Sequence, residues 1–268
     1  MSRGIRIAIL GVGVVGSALH LFLETNNPSC EFRLYDPPRG LNADLKDCDI
    51  AFISVPADTK ENGEQELCHI HSCLKLLQSA GTYFNTPIVI KSTVLPGTTD
   101  SLGEQYLFHR LIHMPEFLTE RTAERDIFNQ GHICGGRDLL SLDQSCLLRT
   151  LFGEVIFMRN TEAELAKYAH NCFGALKVTY FNMVQHISDI LGINYQAVLS
   201  GVLASGYINA THTMVPGPDG KCGFGGKCFP KDLDAFVGFL KDNSHGPGVY
   251  RTLLGATQFA NKLHRGLA

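Results

Sequence analysis

An α/β fold, with a doubly wound parallel sheet followed by a small, mainly helical domain, is predicted for this 268-residue sequence by three observations. Short apolar runs alternate with polar or helix-like connections through residues 1–159. Several of those runs are continuously apolar, as expected of parallel strands covered on both faces. From about Asn160 onward the strand signals stop and good helix formers take over. The domain boundary is therefore placed at 159/160, giving a sheet domain over 1–159 and a helical domain over 160–268.

The strand candidates, in order, are Ile5–Leu10, Phe32–Tyr35, Ile50–Val55, Pro87–Lys91, Arg110–His113, His132–Cys134 and Val155–Met158. The first runs directly into Gly11-Val12-Gly13-Val14-Val15-Gly16, a G-x-G-x-x-G turn that opens a helix. The first glycine permits the tight turn, the second lets backbone approach a pyrophosphate, and the third lets helix pack on strand. Asp36 ends the second strand, where a carboxylate binds an adenosine ribose diol. Strand, glycines and acid together predict a Rossmann-type, dinucleotide-binding domain. Asp36 favours NAD, since its charge repels the extra phosphate of NADP; Arg39 nearby works in the other direction.

In the second half, Thr161–Leu191 reads as one long helix, opened by a capping-box pattern in Thr161-Glu162-Ala163-Glu164 and stopped at Gly192. A helix of that length connects domains or packs against another subunit, so a homodimer through 161–191 is expected. A short helix over Tyr195–Leu203, a Gly- and Pro-rich loop over Val215–Gly226, a helix opening at Pro230 and a last helix over Gly248–Leu263 complete the chain.

Composition excludes several classes. The formal net charge of −3 gives no electrostatic case for nucleic acid or an anionic membrane. No apolar run reaches the roughly 18 residues of a membrane span. The nine cysteines are odd in number and irregularly spaced, and no signal-peptide pattern precedes them. Free thiols in a reducing cytoplasm are the expectation. Cys68-His69-Ile70-His71-Ser72-Cys73 holds four ligand-type residues, but within one helix (64–80) they fan around the axis and cannot converge on a metal. No metal is predicted.

Two segments carry chemistry. In Cys222-Gly223-Phe224-Gly225-Gly226-Lys227-Cys228-Phe229-Pro230-Lys231-Asp232, Pro230 suits a first helical turn and so places Cys228 just before a helix N-terminus. The helix dipole, Lys227 and Lys231 all favour a thiolate there. The alternative, a buried structural cysteine in a tight turn, leaves the two lysines and the aspartate unexplained. In Ala163–Asn171, Lys167 and Asn171 are four apart and share a helix face. Such a pair could hold a developing oxyanion and a water, although Lys and Asn at this spacing, taken alone, usually mark a solvated face.

With GVGVVG (11–16), Asp36, KSTVLPGT (91–98), MPEFLTERTAERD (114–126), AELAKYAHN (163–171) and GFGGKCFPKD (223–232) in this order, the sequence resembles the nucleotide-sugar dehydrogenases across nearly its whole length. The resemblance implies oxidation of a primary alcohol at C6 of a UDP- or GDP-linked sugar to a carboxylate, with two NAD per turnover. It implies that Cys228 attacks the intermediate aldehyde and carries a thiohemiacetal and then a thioester. Lys167 matches the lysine that stabilises the oxyanion, with Asn171 beside it. Asp232 matches the aspartate that assists proton transfer with a water bound by Thr93. Glu116 matches the glutamate of thioester hydrolysis, and Glu120 a second acid of the same loop. Glu116, Phe117, Leu118, Lys167, Asn171, Phe224 and Gly225 are then expected to contact the sugar. Gly11, Gly13, Val14, Val15, Gly16, Asp36, Val55, Thr93 and Glu120 are expected to contact NAD.

The sequence also departs from that pattern. Family members carry a third, α/β domain over the nucleotide, whereas this sequence stops at Ala268. A partner completes the site, or the substrate differs, or the sequence is truncated. The loop Pro216–Cys222 is longer than the family's, Lys227 replaces a small residue, Ala57 and Asp58 stand for threonine and proline, and Met183 follows Asn182 in place of an acid. Two other readings stay open: a two-electron dehydrogenase of the hydroxy-acid type, which has no need of Cys228, and an inactive NAD-binding subunit or regulator.

Overall fold

A computed structural model of the chain describes residues 3–81, 86–138 and 140–267. The chain forms two compact units: residues up to Asp58 with Gln65–Lys167, and Thr59–Glu64 with Tyr168 onward. The division between the two units falls inside the long helix, after Lys167. The short segment 59–64 joins the second unit through specific bonds. Thr59 Oγ1 donates to the Lys231 carbonyl at 3.0 Å and Lys241 Nζ to the Asn62 carbonyl at 2.7 Å.

The first unit contains β1 (Arg6–Leu10), α1 (Val14–Asn26), β2 (Glu31–Asp36), β3 (Leu41–Asn42), β4 (Ile50–Ile53), α2 (Cys68–Ser79), β5 (Ile88–Ile90), α3 (Thr98–Tyr106), β6 (Leu111–His113), α4 (Ala123–Asn129), β7 (His132–Gly136), α5 (Leu142–Phe152), β8 (Val155–Arg159) and the first turns of α6 (Asn160–Leu191). Its sheet runs β3-β2-β1-β4-β5-β6-β7-β8. Strands β1, β2, β4, β5 and β6 are parallel. The sheet is not wholly parallel, however, because β3 runs antiparallel to β2 and β7 to β6. Apolar runs encode burial but not direction, so the reversal at β7 left no mark in the pattern.

Continuous apolar strands bury both faces, as their sequence requires. Ile7, Ile9, Phe52 and Val89 pack with Leu19, Leu23 and Leu148 on one side. Ala8, Leu10, Ile53 and Ile90 pack with Leu74, Leu77 and Leu102 on the other. Each such fully buried large side chain contributes about 1.5–3 kcal/mol.

Among the described residues the β6–β7 seam has only the His113–Gly135 pairing, and Asn160 completes it. This fully buried side chain accepts from the His113 N–H at 2.8 Å and donates to Asp100 Oδ1 at 2.8 Å and the Leu111 carbonyl at 3.2 Å. Asn160 is also the first residue of α6, so the seam fixes where that helix starts.

The predicted capping box does not form as expected. Glu162 accepts from the Arg159 backbone N–H at 2.8 Å, two residues earlier in the chain than the expected pair. Glu164 instead reaches α3, accepting from Gly97 N at 2.6 Å and Thr99 N at 2.8 Å. It thereby caps another helix, whose orphan N–H groups need an acceptor.

The second unit holds the remainder of α6 with α7 (Tyr195–Ala204), α8 (Cys228–Phe239) and α9 (Gly248–Arg265). Helix α8 opens at Cys228 itself, two residues before the expected Pro230. Pro230 is tolerated there because N–H groups in a first turn have no intrahelical partner to lose.

Candidate active site

At the carboxyl end of β1, Gly11 has a φ of 85° and its N–H donates to the Tyr35 carbonyl at 2.9 Å. A Cβ on Gly16 would lie 1.9 Å from the Gly11 carbonyl, so close packing of helix on strand forbids any side chain. At Gly13 a Cβ would meet nothing within 4 Å, and α1 starts there with no side-chain cap. An uncapped helix N-terminus beside approachable backbone fits a phosphate. The Asp36 carboxylate accepts from Val12 N at 2.8 Å, which locks the acid against the glycine turn. Arg39 lies 3.7 Å from the same carboxylate. Val14 is exposed at the start of α1 and Val15 half-buried behind it. Val55 follows β4, and its carbonyl accepts from Ser92 Oγ at 2.6 Å. These residues fit a dinucleotide. Gly11, Gly13, Val14, Val15, Gly16 and Asp36 would hold it.

A second group gathers at the ends of β5 and β6. Lys167 is 3% exposed, its Nζ donating to the Glu116 carbonyl at 2.5 Å and lying 3.7 Å from Glu116 Oε1. It also stands 5.5 Å from the centre of the Phe117 ring. Glu116 is 7% exposed, and its Oε2 has no protein partner. Lys91, wholly buried, points to the Pro115 carbonyl at 3.5 Å. Burial pulls its ammonium down to about 8 against the attraction of Glu116. His113, also wholly buried, is pushed down to about 3 by burial and then by Lys91 and Lys167, and neither ring nitrogen has a protein partner. Thr93 accepts at its carbonyl from Gln65 Nε2 at 2.7 Å. Leu118 is half-buried, whereas Glu120 is exposed farther along the loop.

The third group is built on α6 and α8. Asn171 is 4% exposed and donates to Asp232 Oδ2 at 2.5 Å. Lys231 donates to Asp232 Oδ1 at 2.5 Å, so its charge serves the aspartate. Neither Lys167 nor Asn171 lies on a solvated face. Cys228 is exposed at the first position of α8 and is no buried structural cysteine. Phe224 is buried edge-on to Phe229, 6.2 Å between ring centres, and Gly225 lies under Arg265.

Residues 161–261 match the central domain of the UDP-glucose/GDP-mannose dehydrogenase family, and residues 39–154 match its NAD binding domain. The chain belongs to this family. The glycine turn and Asp36 lie ahead of the matched segment, so their reading rests on the geometry above. The chain is 30% identical over 242 residues to UDP-glucose 6-dehydrogenase of Rickettsia typhi, covering 83% of this chain and 51% of that one. It spans about half the length of the curated relatives it matches. In fold, it is similar to a UDP-glucose dehydrogenase from Pyrobaculum islandicum, with a TM-score of 0.78, 24% identity, and 98% and 69% of the two chains covered. A 3-hydroxyisobutyrate dehydrogenase from Mycobacterium tuberculosis shares the fold at a TM-score of 0.75 and 16% identity, covering 99% and 95%.

Sequence reasoning missed Lys91, His113 and Glu164. Lys91 stands within the quoted KSTVLPGT segment, but nothing local marks it as buried. Among the described residues, no cluster of three His, Cys, Asp or Glu side chains suits a metal. In the Cys68–Cys73 segment, Cys73 is buried in the core and its thiol is pushed up to about 12 by burial. His71 Nδ1 lies 2.8 Å from the Tyr106 hydroxyl. No helix among the described residues is long and apolar enough to cross a membrane.

Proposed function

We propose that this chain carries out NAD-dependent oxidation of a nucleotide-sugar primary alcohol to the carboxylate, as UDP-glucose 6-dehydrogenases do. The observation that carries the reading is the thiol of Cys228, exposed at the first position of α8, one turn ahead of an aspartate held on both oxygens. Held by the glycine turn of residues 11–16 and by Asp36, each of two successive NAD molecules would supply the acceptor for one hydride. Asp232, with a water held by Thr93, takes the alcohol proton as the first hydride leaves. The Cys228 thiolate adds to the resulting aldehyde carbon, and Lys167 and Asn171 stabilise the oxygen of the thiohemiacetal. Loss of the second hydride from that thiohemiacetal alkoxide leaves a thioester. Glu116 assists water in attacking it, which breaks the C–S bond, releases the acid and restores the thiol. Glu120, Phe117, Leu118, Phe224 and Gly225 complete the contacts to NAD and sugar. A reducing compartment such as the cytoplasm suits nine cysteines that all stand as thiols.

The test is NADH formation across UDP- and GDP-sugars, with product mass measured. Two NADH per acid formed, lost in Cys228→Ser, are expected. One NADH per substrate, with turnover intact in that variant, would instead support a two-electron hydroxy-acid type of dehydrogenase. Binding of NAD without any reduction would support a regulatory subunit.

The chain also self-associates through α6 in this reading. Phe173, Tyr180, Met183, Ile187 and Ile190 are exposed at spacings of three, four and seven along one face. A dimer by light scattering at micromolar concentration is expected, and a monomer there rules the interface out.

A further inference from the structure

The glycine segment ahead of Cys228 has no secondary structure of its own, yet three consecutive backbone groups in it are each taken by a side chain. Gly223 N donates to Asn182 Oδ1 at 2.8 Å. The Gly223 carbonyl accepts from Arg265 Nη2 at 2.9 Å. Phe224 N donates to Asn261 Oδ1 at 2.7 Å. Asn182 comes from α6, and Asn261 and Arg265 come from the last turns of α9.

Both asparagines are buried, and buried amides are held in one orientation by the bonds they make. Asn182 Nδ2 donates to the Val178 carbonyl at 2.8 Å, which turns Oδ1 toward Gly223. The fit at the other end is just as tight. Gly223 has a φ of 73°, and a Cβ there would lie 2.5 Å from Asn261 Oδ1. A Cβ on Gly225 would lie 2.9 Å from Arg265 Nη2. The glycines at 223 and 225 are therefore the surfaces against which these side chains close.

The long loop of residues 216–222 has a place in the same arrangement. Its Asp219 carboxylate accepts from Arg265 Nη1 at 2.5 Å, so the loop fixes the guanidinium that bonds Gly223. The Gly217 N–H donates to the Lys221 carbonyl at 2.8 Å and closes the loop on itself. The segment that departs from the family pattern thus supplies the anchor for Arg265.

We infer that Asn182, Asn261 and Arg265 are positioning residues that hold the 223–228 segment so that Cys228 is presented at the start of α8, with the 216–222 loop serving as the buttress for Arg265. This rests on the reading of Cys228 as the nucleophile. The segment has several glycines and would otherwise sample many conformations. Chemistry at its end requires the thiol to be held within a fraction of an ångström of one geometry.

The test uses the full chain with Asn261→Leu, which keeps the shape and removes the acceptor, Asn261→Asp, which keeps the acceptor, and Arg265→Gln. Two readouts are taken: kcat and KM for NAD with the nucleotide sugar that proves active, and hydrogen exchange in the peptide spanning 222–229. Asn261→Leu should lower kcat about tenfold and speed exchange at Phe224, while KM for NAD stays within about twofold. Asn261→Asp should recover kcat to within about threefold of the parent, and Arg265→Gln should lower it at least about threefold. Parent-like kcat and exchange in both Asn261→Leu and Arg265→Gln would overturn the inference. So would equal losses in Asn261→Leu and Asn261→Asp. Should Asn261→Leu fail to fold, Arg265→Gln and Asn261→Asp still decide the matter. If the parent chain reduces no NAD with any sugar, the nucleophile reading fails by that result, and exchange at 223–224 alone judges whether these side chains hold the segment.

Discussion

Glu116 and Asp232 are both buried carboxylates, but their surroundings differ in kind. Both oxygens of Asp232 are occupied, one by the Asn171 amide and one by Lys231. Glu116 offers Oε1 to Lys167 at 3.7 Å and keeps Oε2 without a protein partner, with the buried Lys91 close enough to feel its charge. A carboxylate bonded at both oxygens is fixed in place. One with an unbonded buried oxygen is built to receive another group, since an unsatisfied acceptor costs stability unless something binds it. The contrast suits the roles proposed above, a fixed proton acceptor for Asp232 and a partner for water in Glu116.

The comparison is broken or sharpened first at the lysines. Lys167 is buried with Glu116, whereas the Lys231 side chain is 21% exposed. Lys167→Met should lower kcat/KM by about 100-fold or more, since in the proposed mechanism it removes the oxyanion donor. It should also destabilise the chain by about 3 kcal/mol, because a buried charge loses its nearest partner. Lys231→Met leaves Asn171 on Asp232 and should cost less, about 1.5–2 kcal/mol. Steady-state kinetics and urea unfolding of the two variants check this ordering. Equal losses would show that the two carboxylates are held alike.

The smaller effect concerns pH. His113 and His132 are buried in the first unit and held down to about 3 and about 4, with burial the leading cause in each. A histidine with a depressed folded pKa contributes full stability above its unfolded value near 6.5 and loses it as pH falls toward the folded value. The unfolding free energy from urea titration should therefore fall as pH drops from 6.5 toward 4, by up to about 1.4 kcal/mol per pH unit for His113 and by less for His132. His132→Phe, which fits among Phe22 and Phe152, should flatten that slope. An unchanged slope would contradict the burial argument for His132.

Much of this was legible in the sequence because it is local. The glycine turn, the continuous apolar strands, the four-residue step from Lys167 to Asn171 and the cysteine segment each carry their meaning within about ten residues. What stayed hidden depends on partners far along the chain. Thr161–Glu164 reads as a capping box by spacing, yet Glu164 bonds Gly97 and Thr99 more than sixty positions earlier. Asn160 reads as a helix boundary, while its side chain closes the β6–β7 seam. The two-residue β3 is too short to show any period, and Lys91 looks like an ordinary polar end to a strand. The sequence placed Lys231 beside the thiol, and its bond to Asp232 was not legible there.

The central claim, that Cys228 carries the substrate as an acyl group, is tested most directly by mass analysis of the Glu116→Gln variant quenched during turnover. With hydrolysis slowed, the peptide containing Cys228 should gain the mass of the oxidised nucleotide sugar, and the adduct should be released by hydroxylamine. NAD reduction by this variant with Cys228 unmodified at every time point would contradict the account.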